Sequence, residues 1–305
     1  MNNLNRFQPT GPCDLVKFLA ALLASFLALT SASFAQENAT SYAPANPAAG
    51  PNILGHELVV EARLSEKGDM LKDGIDWRVF SDRRNADGQL PLIAKRSGGT
   101  ATFSLPAGTY LVHAGFGRAS TTRRVSLGSD GARESFVLNA GGLALTAKAD
   151  GKPIPPKDLR FSIYELEEDE EGERKLIALN VPATRIIRLN AGTYHVLSRY
   201  GTINATVRAD LEVKPGKLTR ATLQHRGAAV SMRLVSSLGG DPVANTAWTV
   251  LTQDGEKVFQ STSVSPGLIL AEGTYEATVR NGEKDYRKTF RVSPGKNIRV
   301  EVPLK

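Results

Sequence analysis

The side chains that most often ligate metals or act as bases and nucleophiles near neutral pH are imidazole and thiolate. The chain has four histidines, His56, His113, His195 and His225, and one cysteine, Cys13. To do chemistry they need company at short spacing: a His-x-His or His-x-x-x-His pair, a phosphate cradle, or a nucleophile elbow. None of these spacings occurs. The histidines therefore read as structural or solvent-facing groups. Carboxylates cluster once, as seven in the nine residues Glu165 to Glu173. The run lacks the D-x-[DN]-x-[DN]-G spacing of a calcium loop, and glutamate outnumbers aspartate. It reads as a solvated hairpin or an acidic docking patch, with calcium binding left open.

Cations gather in other hairpins. Phe116, Arg118, Arg123 and Arg124 lie in one, Tyr200 marks the tip of a second, and Arg280, Lys284, Tyr286 and Arg287 lie in a third. An aromatic ring beside arginines can stack on a sugar or engage a phosphate. Arginine and lysine also protect exposed strand edges from pairing, so a solvated edge accounts for the same residues. These nine are the candidate partner-binding positions. No catalytic, cofactor-binding or metal residue is nominated, and no cofactor is expected. No base-reading module is present, so nucleic acid is not an expected partner.

The elements that carry these residues repeat. Leu105-Pro106-Ala107-Gly108-Thr109-Tyr110 returns as Leu189-Asn190-Ala191-Gly192-Thr193-Tyr194 and as Leu270-Ala271-Glu272-Gly273-Thr274-Tyr275, the glycines lying 84 and then 81 residues apart. A fixed period of this size marks an array of small β-domains. Alternating apolar residues such as Leu58, Val60 and Ala62, and later Ala101, Phe103 and Leu105, read as half-buried strands. Trp77, Phe161 and Trp248 head matching strands, and burial of the tryptophans predicts roughly 3–5 kcal/mol lost on truncation. Gly117, Gly201 and Gly282 each follow the hexapeptide glycine by nine residues, at hairpin turns. At the hexapeptide itself the glycine predicts a tight corner with positive φ, followed by an inward-facing tyrosine. The expected class is all-β: three tandem sandwiches over 55–139, 140–225 and 226–305.

Residues 1–35 read as a signal peptide. Arg6 and Lys17 precede an apolar run of 12 residues from Phe18 to Leu29, too short to span a bilayer, and Ser33-Phe34-Ala35 offers small residues for cleavage after Ala35. Cys13 precedes that run, so lipidation there is unsupported, and the mature chain would hold no cysteine. Residues 36–54 are rich in Ala, Pro and Asn and read as a linker. No later stretch is apolar enough to cross a membrane. The formal charge is +7, or +6 after removal of the leader with its Arg6, Lys17 and Asp14. That balance suits solubility, or an anionic partner in a periplasmic or secreted setting.

The Leu-x-Ala-Gly-Thr-Tyr motif with its alternating apolar tail resembles the carboxypeptidase regulatory-like (prealbumin-like) domains, and it is similar to the B-type repeats of collagen adhesins. The resemblance covers roughly 55–305 and implies Ig-like or prealbumin-like sandwiches used as spacers and binding modules. Fibronectin type III domains place the tyrosine one residue later and rank second. The glutamate that promotes isopeptide bonds in the adhesin repeats is replaced by Ala114, Ser198 and Val279, so that chemistry is not implied here. The function expected is a non-catalytic exported module binding an envelope protein or anionic glycan. The alternative is a structural spacer or subunit of an envelope assembly, and an enzyme acting on polysaccharide ranks third. The oligomeric state and the partner are left open.

Overall fold

The computed structural model describes residues 55–305. The leader with its cleavage point, and the linker over 36–54, lie outside the described residues. The described residues belong to one compact unit.

The first repeat consists of β1 (His56–Arg63), β2 (Ile75–Ser81), β3 (Leu92–Gly98), β4 (Ala101–Leu105), β5 (Gly108–Phe116), β6 (Ala119–Leu127) and β7 (Ala132–Val137). Its strands form two sheets, β4-β1-β7 and β3-β2-β5-β6. The second repeat has β8 (Ala140–Ala149), a two-residue β9 (Lys152–Pro153), β10 (Leu159–Glu168), β11 (Arg174–Pro182), β12 (Ile187–Asn190), β13 (Gly192–Tyr200), β14 (Ala205–Val213) and β15 (Leu218–His225). They are arranged as β12-β8-β15 over β11-β10-β13-β14, with β9 paired to β8. The third has β16 (Gly227–Val235), β17 (Thr246–Thr252), β18 (Lys257–Ser261), β19 (Gly267–Ala271), β20 (Gly273–Asn281), β21 (Lys284–Val292) and β22 (Ile298–Pro303), as β19-β16-β22 over β18-β17-β20-β21. The chain is an all-β array of sandwiches. In each repeat the first strand pairs antiparallel with the hexapeptide-leading strand and parallel with the last. Among the described residues no helix is long and apolar enough to cross a membrane.

Period-two alternation is the reason these segments are strands. In β5 the inward residues Tyr110, Val112, Ala114 and Phe116 are all buried while Leu111 and His113 face outward; β13 repeats this with Tyr194, Val196, Ser198 and Tyr200. Trp77, Phe161 and Trp248 have no exposed surface. Trp77 stands edge-on to Phe136 at 5.3 Å, and its Nε1–H donates to Gly99 O at 2.8 Å, so the buried indole leaves no polar atom unsatisfied.

The hexapeptide proves to be a tyrosine corner. Tyr110 Oη donates to Pro106 O at 2.8 Å, Tyr194 Oη to Asn190 O at 2.9 Å, and Tyr275 Oη to Ala271 O at 3.0 Å. The positive φ expected of the motif glycine is not found at Gly108 or Gly273, and Gly192 stands at 155°. At Gly273 glycine serves for space, since a methyl there would lie 3.3 Å from Tyr275 Cε2, under the ring that folds back over it; at Gly108 the nearest atom to a methyl is 3.7 Å away, and at Gly192 nothing lies within 4 Å. The glycines at the hairpins nine residues beyond the motif are left-handed, Gly117 at 69°, Gly201 at 73° and Gly282 at 62°.

Candidate functional site: the joints between repeats

The hairpin turns nine residues beyond the motif glycine are structural joints in two of the three repeats. Phe116-Gly117-Arg118 lies against β12 of the second repeat, where Arg118 N–H donates to Arg188 O at 3.1 Å and the Arg188 guanidinium covers the Phe116 ring at 4.2 Å. A methyl on Gly117 would lie 3.0 Å from Arg188 Cβ, so the turn must be glycine for fit as well as for φ. Tyr200-Gly201-Thr202 meets β19 of the third repeat in the same way, with Ile269 under Gly201. Ile269 and Ala271 pack against the core of the second repeat, and Ile203 packs against the core of the third.

Each joint is clamped by one asparagine, on opposite sides. Asn190, in β12, accepts from Ser120 N–H at 3.2 Å and donates to Ser120 O at 3.1 Å and Leu138 O at 2.9 Å. Asn204, three residues past Gly201, accepts from Ala271 N–H at 2.9 Å and donates to Tyr275 Oη at 3.0 Å. Ser120 and Asn204 are equivalent positions in their repeats, as are Asn190 and Ala271. A second glycine turn docks beside each clamp: Gly216 against Ser65, and Gly295 against Ala149 O and Asp150. At the two outer ends the corresponding positions differ. Pro106 stands where Asn190 and Ala271 clamp, and a proline has no N–H to donate. Asp285 stands where Asn204 does, held by Arg280.

This arrangement scatters the residues nominated from the sequence. Phe116 and Tyr200 are buried in the joints, 8% and 7% exposed, so neither ring offers a face to a sugar. Arg123 lies over the Phe136 ring and pairs with Glu134. Arg124 is exposed on the outer face of the β3-β2-β5-β6 sheet, opposite Leu111. Arg280 is held by Asp285 through two bonds of 2.8 and 3.2 Å, and Arg287 lies 4.0 Å from Glu276. Tyr286 is half-buried against the third core, and Lys284 is exposed opposite Asn281. The nine residues do not converge on one site. Of them, Arg118 is placed at a concave surface.

That surface is a groove of about 410 Å³ at the joint of the first two repeats, with Arg118, Arg185 and Arg188 around Leu179, Val181 and Ile186. Sequence reading missed Arg185, Arg188, Leu179 and Ile186. A second groove on the other side of Arg118 brings in Glu165, Leu166 and Glu167. The acidic hairpin is well ordered internally: Asp169 Oδ1 accepts from Glu173 N–H at 2.8 Å, Lys175 pairs with Glu165 at 2.7 Å and Arg174 with Glu168 at 2.8 Å. Among the described residues no group of histidines, cysteines and carboxylates is placed to hold a metal ion.

Three of the four histidines, His113, His195 and His225, are held by neighbours in their own repeats. His113 Nδ1 shares a hydrogen bond with Thr122 at 2.9 Å, and burial together with the nearby Arg78 lowers its pKa. His195 Nδ1 meets Asp210 at 2.7 Å. His225, 2% exposed, ends β15 at the second joint; its Nε2 meets Ser198 Oγ at 2.7 Å and its Nδ1 has no partner. Burial lowers its pKa to about 4. A serine and an imidazole at bonding distance are the start of a nucleophilic pair, but here both are sealed inside the sandwich and no carboxylate orients the ring.

Residues 229–304 match the family model of the Rhizobiales growth-associated tandem repeat domain. No curated relative matches the chain. Among solved structures the chain is similar to the Bacillus anthracis TIE protein, at 16% identity and a TM-score of 0.23 over 83% of this chain and 51% of that one. The chain thus spans about half the length of that protein. It is also similar to GBS52, the minor pilin of Streptococcus agalactiae (14% identity, TM-score 0.29, 56% of this chain and 95% of that one). BcpA, the major pilin subunit of Bacillus cereus, aligns at 8% identity and a TM-score of 0.22, over 82% of this chain and 99% of that one.

Proposed function

We propose that the chain is an exported, non-catalytic envelope protein, in which three clamped sandwiches form one stiff array that carries binding surfaces for a protein or an anionic glycan. The observation that carries this is the asparagine clamp at both joints, Asn190 on Ser120 and Asn204 on Ala271 and Tyr275. A clamp of side-chain and backbone bonds, with apolar packing beneath it, holds successive domains in one orientation, where an ordinary interdomain contact would let them swing. The binding role falls to the groove around Arg118, Arg185 and Arg188, where cations rim exposed Leu179 and Ile186. The family model matched by the third repeat describes a tandem repeat domain, which supports the array. The carboxypeptidase regulatory-like kinship is part of the same proposal.

Burial of the tips favours the spacer as second reading, because a spacer needs joints and no free loops. Crosslinking and recovery from envelope extracts, run beside a glycan array, test the proposal. Capture that is lost in Arg118→Glu and Arg185→Glu supports the binding role. Capture that survives both variants, or clean negatives in both assays, moves the function to the spacer. Appearance of the chain only in the cytoplasm overturns the envelope setting altogether.

A further inference from the structure

One sheet face of the first repeat carries cations without acid partners. Arg78 is exposed between the buried Trp77 and Val79 in β2, an inner strand of the sheet β3-β2-β5-β6. Its cross-strand partners are Lys95 in β3 and His113 in β5, so three basic side chains stand in one row across three strands. Like charges directly opposite one another destabilise a sheet. Arg124 lies on the same face, in β6 opposite Leu111. Asp76 and Asp82 flank Arg78 in sequence. Asp76 accepts instead from Ser97 Oγ at 2.8 Å, and none of Arg78, Lys95 and Arg124 belongs to an ion pair among the described residues. Lys95 and Arg124 lie on edge strands, where cations discourage pairing. Arg78 lies inside the sheet, so that reason does not reach it. Nor does the fold need a cation there: the equivalent residues, next to Phe161 and Trp248, are Ser162 and Thr249. In the third repeat Arg280 and Arg287, on the corresponding face, are paired with Asp285 and Glu276.

An apolar row runs beside these cations. Phe80 stands opposite Leu111 in β5 and Leu92 in β3. Phe80 and Leu111 are half-buried, level with the sheet, and do not project as residues that insert into lipid do. We propose that this face binds an anionic polysaccharide carrying carboxylates, laid flat across the strands. Sugar rings rest their apolar faces on Phe80 and Leu111, and their carboxylates meet Arg78, Lys95 and Arg124. Neighbouring strands set Arg78 and Lys95 about 4.8 Å apart at the backbone, which suits charges repeated along a chain. Arginine can take a carboxylate through two parallel bonds. An anion over the row also removes the repulsion between Arg78 and Lys95. This goes beyond the proposed groove, with which the face shares no residue.

Electrophoresis of the purified chain through gels containing polygalacturonate tests it, with dextran as the neutral polymer and polyglutamate as a polyanion without sugar rings. The expected result is retardation by polygalacturonate, weakened by salt, with none by dextran and less by polyglutamate. The double variant Arg78→Ser and Lys95→Ser weakens binding by about tenfold or more, and Phe80→Thr weakens it without a change of charge. Arg299→Ser, which removes one exposed cation elsewhere, leaves binding unchanged. Thermal melts separate loss of binding from loss of fold: the double variant melts no lower than wild type, because it relieves a like-charge pair. Absence of retardation by polygalacturonate overturns the proposal. So does equal retardation by polyglutamate, or a loss in Arg299→Ser as large as in the double variant. Binding to phosphatidylglycerol vesicles in place of polygalacturonate overturns it in favour of a lipid surface. Failure here with intact envelope capture through the groove leaves the proposed function standing.

Discussion

Asn204 of the second repeat grips the tyrosine corner of the third: its Nδ2 donates to Tyr275 Oη at 3.0 Å while its Oδ1 accepts from Ala271 N–H at 2.9 Å. Tyr275 in turn donates to Ala271 O at 3.0 Å, closing a small ring of bonds that belongs to two repeats at once. A device that shapes one domain thereby becomes the socket for its neighbour. At the first joint Asn190 performs the same service from the receiving strand.

Asn204→Ala should leave the half-buried Ala271 N–H without its partner, at a cost of about 1 kcal/mol. The loss should appear as separation of the third repeat's unfolding from the second's in urea, and as faster cleavage after Arg226 by trypsin. Asn190→Ala should do the same at the first joint. A single unshifted transition in both variants would show that the clamps add nothing to apolar packing.

The glycines should rank by function, not by motif membership. Gly108→Ala should change stability by less than about 1 kcal/mol, because φ is not left-handed and the nearest atom to a methyl is 3.7 Å away. Gly117→Ala should cost more than about 1 kcal/mol from φ alone. Gly201→Ala should cost most, since its methyl would lie 2.7 Å from Ile269 Cβ. Thermal melts of the three variants decide the order.

Acid should loosen the second joint through His225. The folded imidazole titrates at about 4 because burial disfavours its charge, against 6.5 for a free histidine. Between these values the unfolded chain binds the extra proton, so stability is full above about pH 6.5 and falls as pH drops toward 4, by at most about 3 kcal/mol. His113, also lowered, adds a slope of the same sign. The difference between wild type and His225→Phe in urea midpoint, followed from pH 7 to pH 4, isolates the His225 part; parallel curves would remove it.

Trp77→Ala and Trp248→Ala should each cost about 3–5 kcal/mol by denaturant titration, since both rings are wholly buried. Trp77 should cost more within that range. Its loss also leaves Gly99 O without a donor and Phe136 without its edge contact, whereas Trp248 bonds only to Thr246 two residues away.

The repeated Leu-x-x-Gly-Thr-Tyr stretches, the alternating strands around them, the buried Trp77, Phe161 and Trp248 and the glycine hairpins were all legible in the sequence. Period-two burial and turn chemistry are local, so they are written in consecutive residues. The role of the hairpins was not. Phe116 and Tyr200 looked like display positions because the sequence shows only that an aromatic stands at a turn. Whether it faces water or a neighbouring repeat depends on how consecutive domains stack. The clamps were hidden for the same reason: Asn190 is one variable residue within a motif, and its bond to Ser120 spans 70 residues. The sequence by itself determined three sandwiches and where each strand turns. Only the tertiary structure decided which turns are joints and which surfaces are left to meet a partner, because those choices rest on contacts between repeats, and no local pattern encodes them.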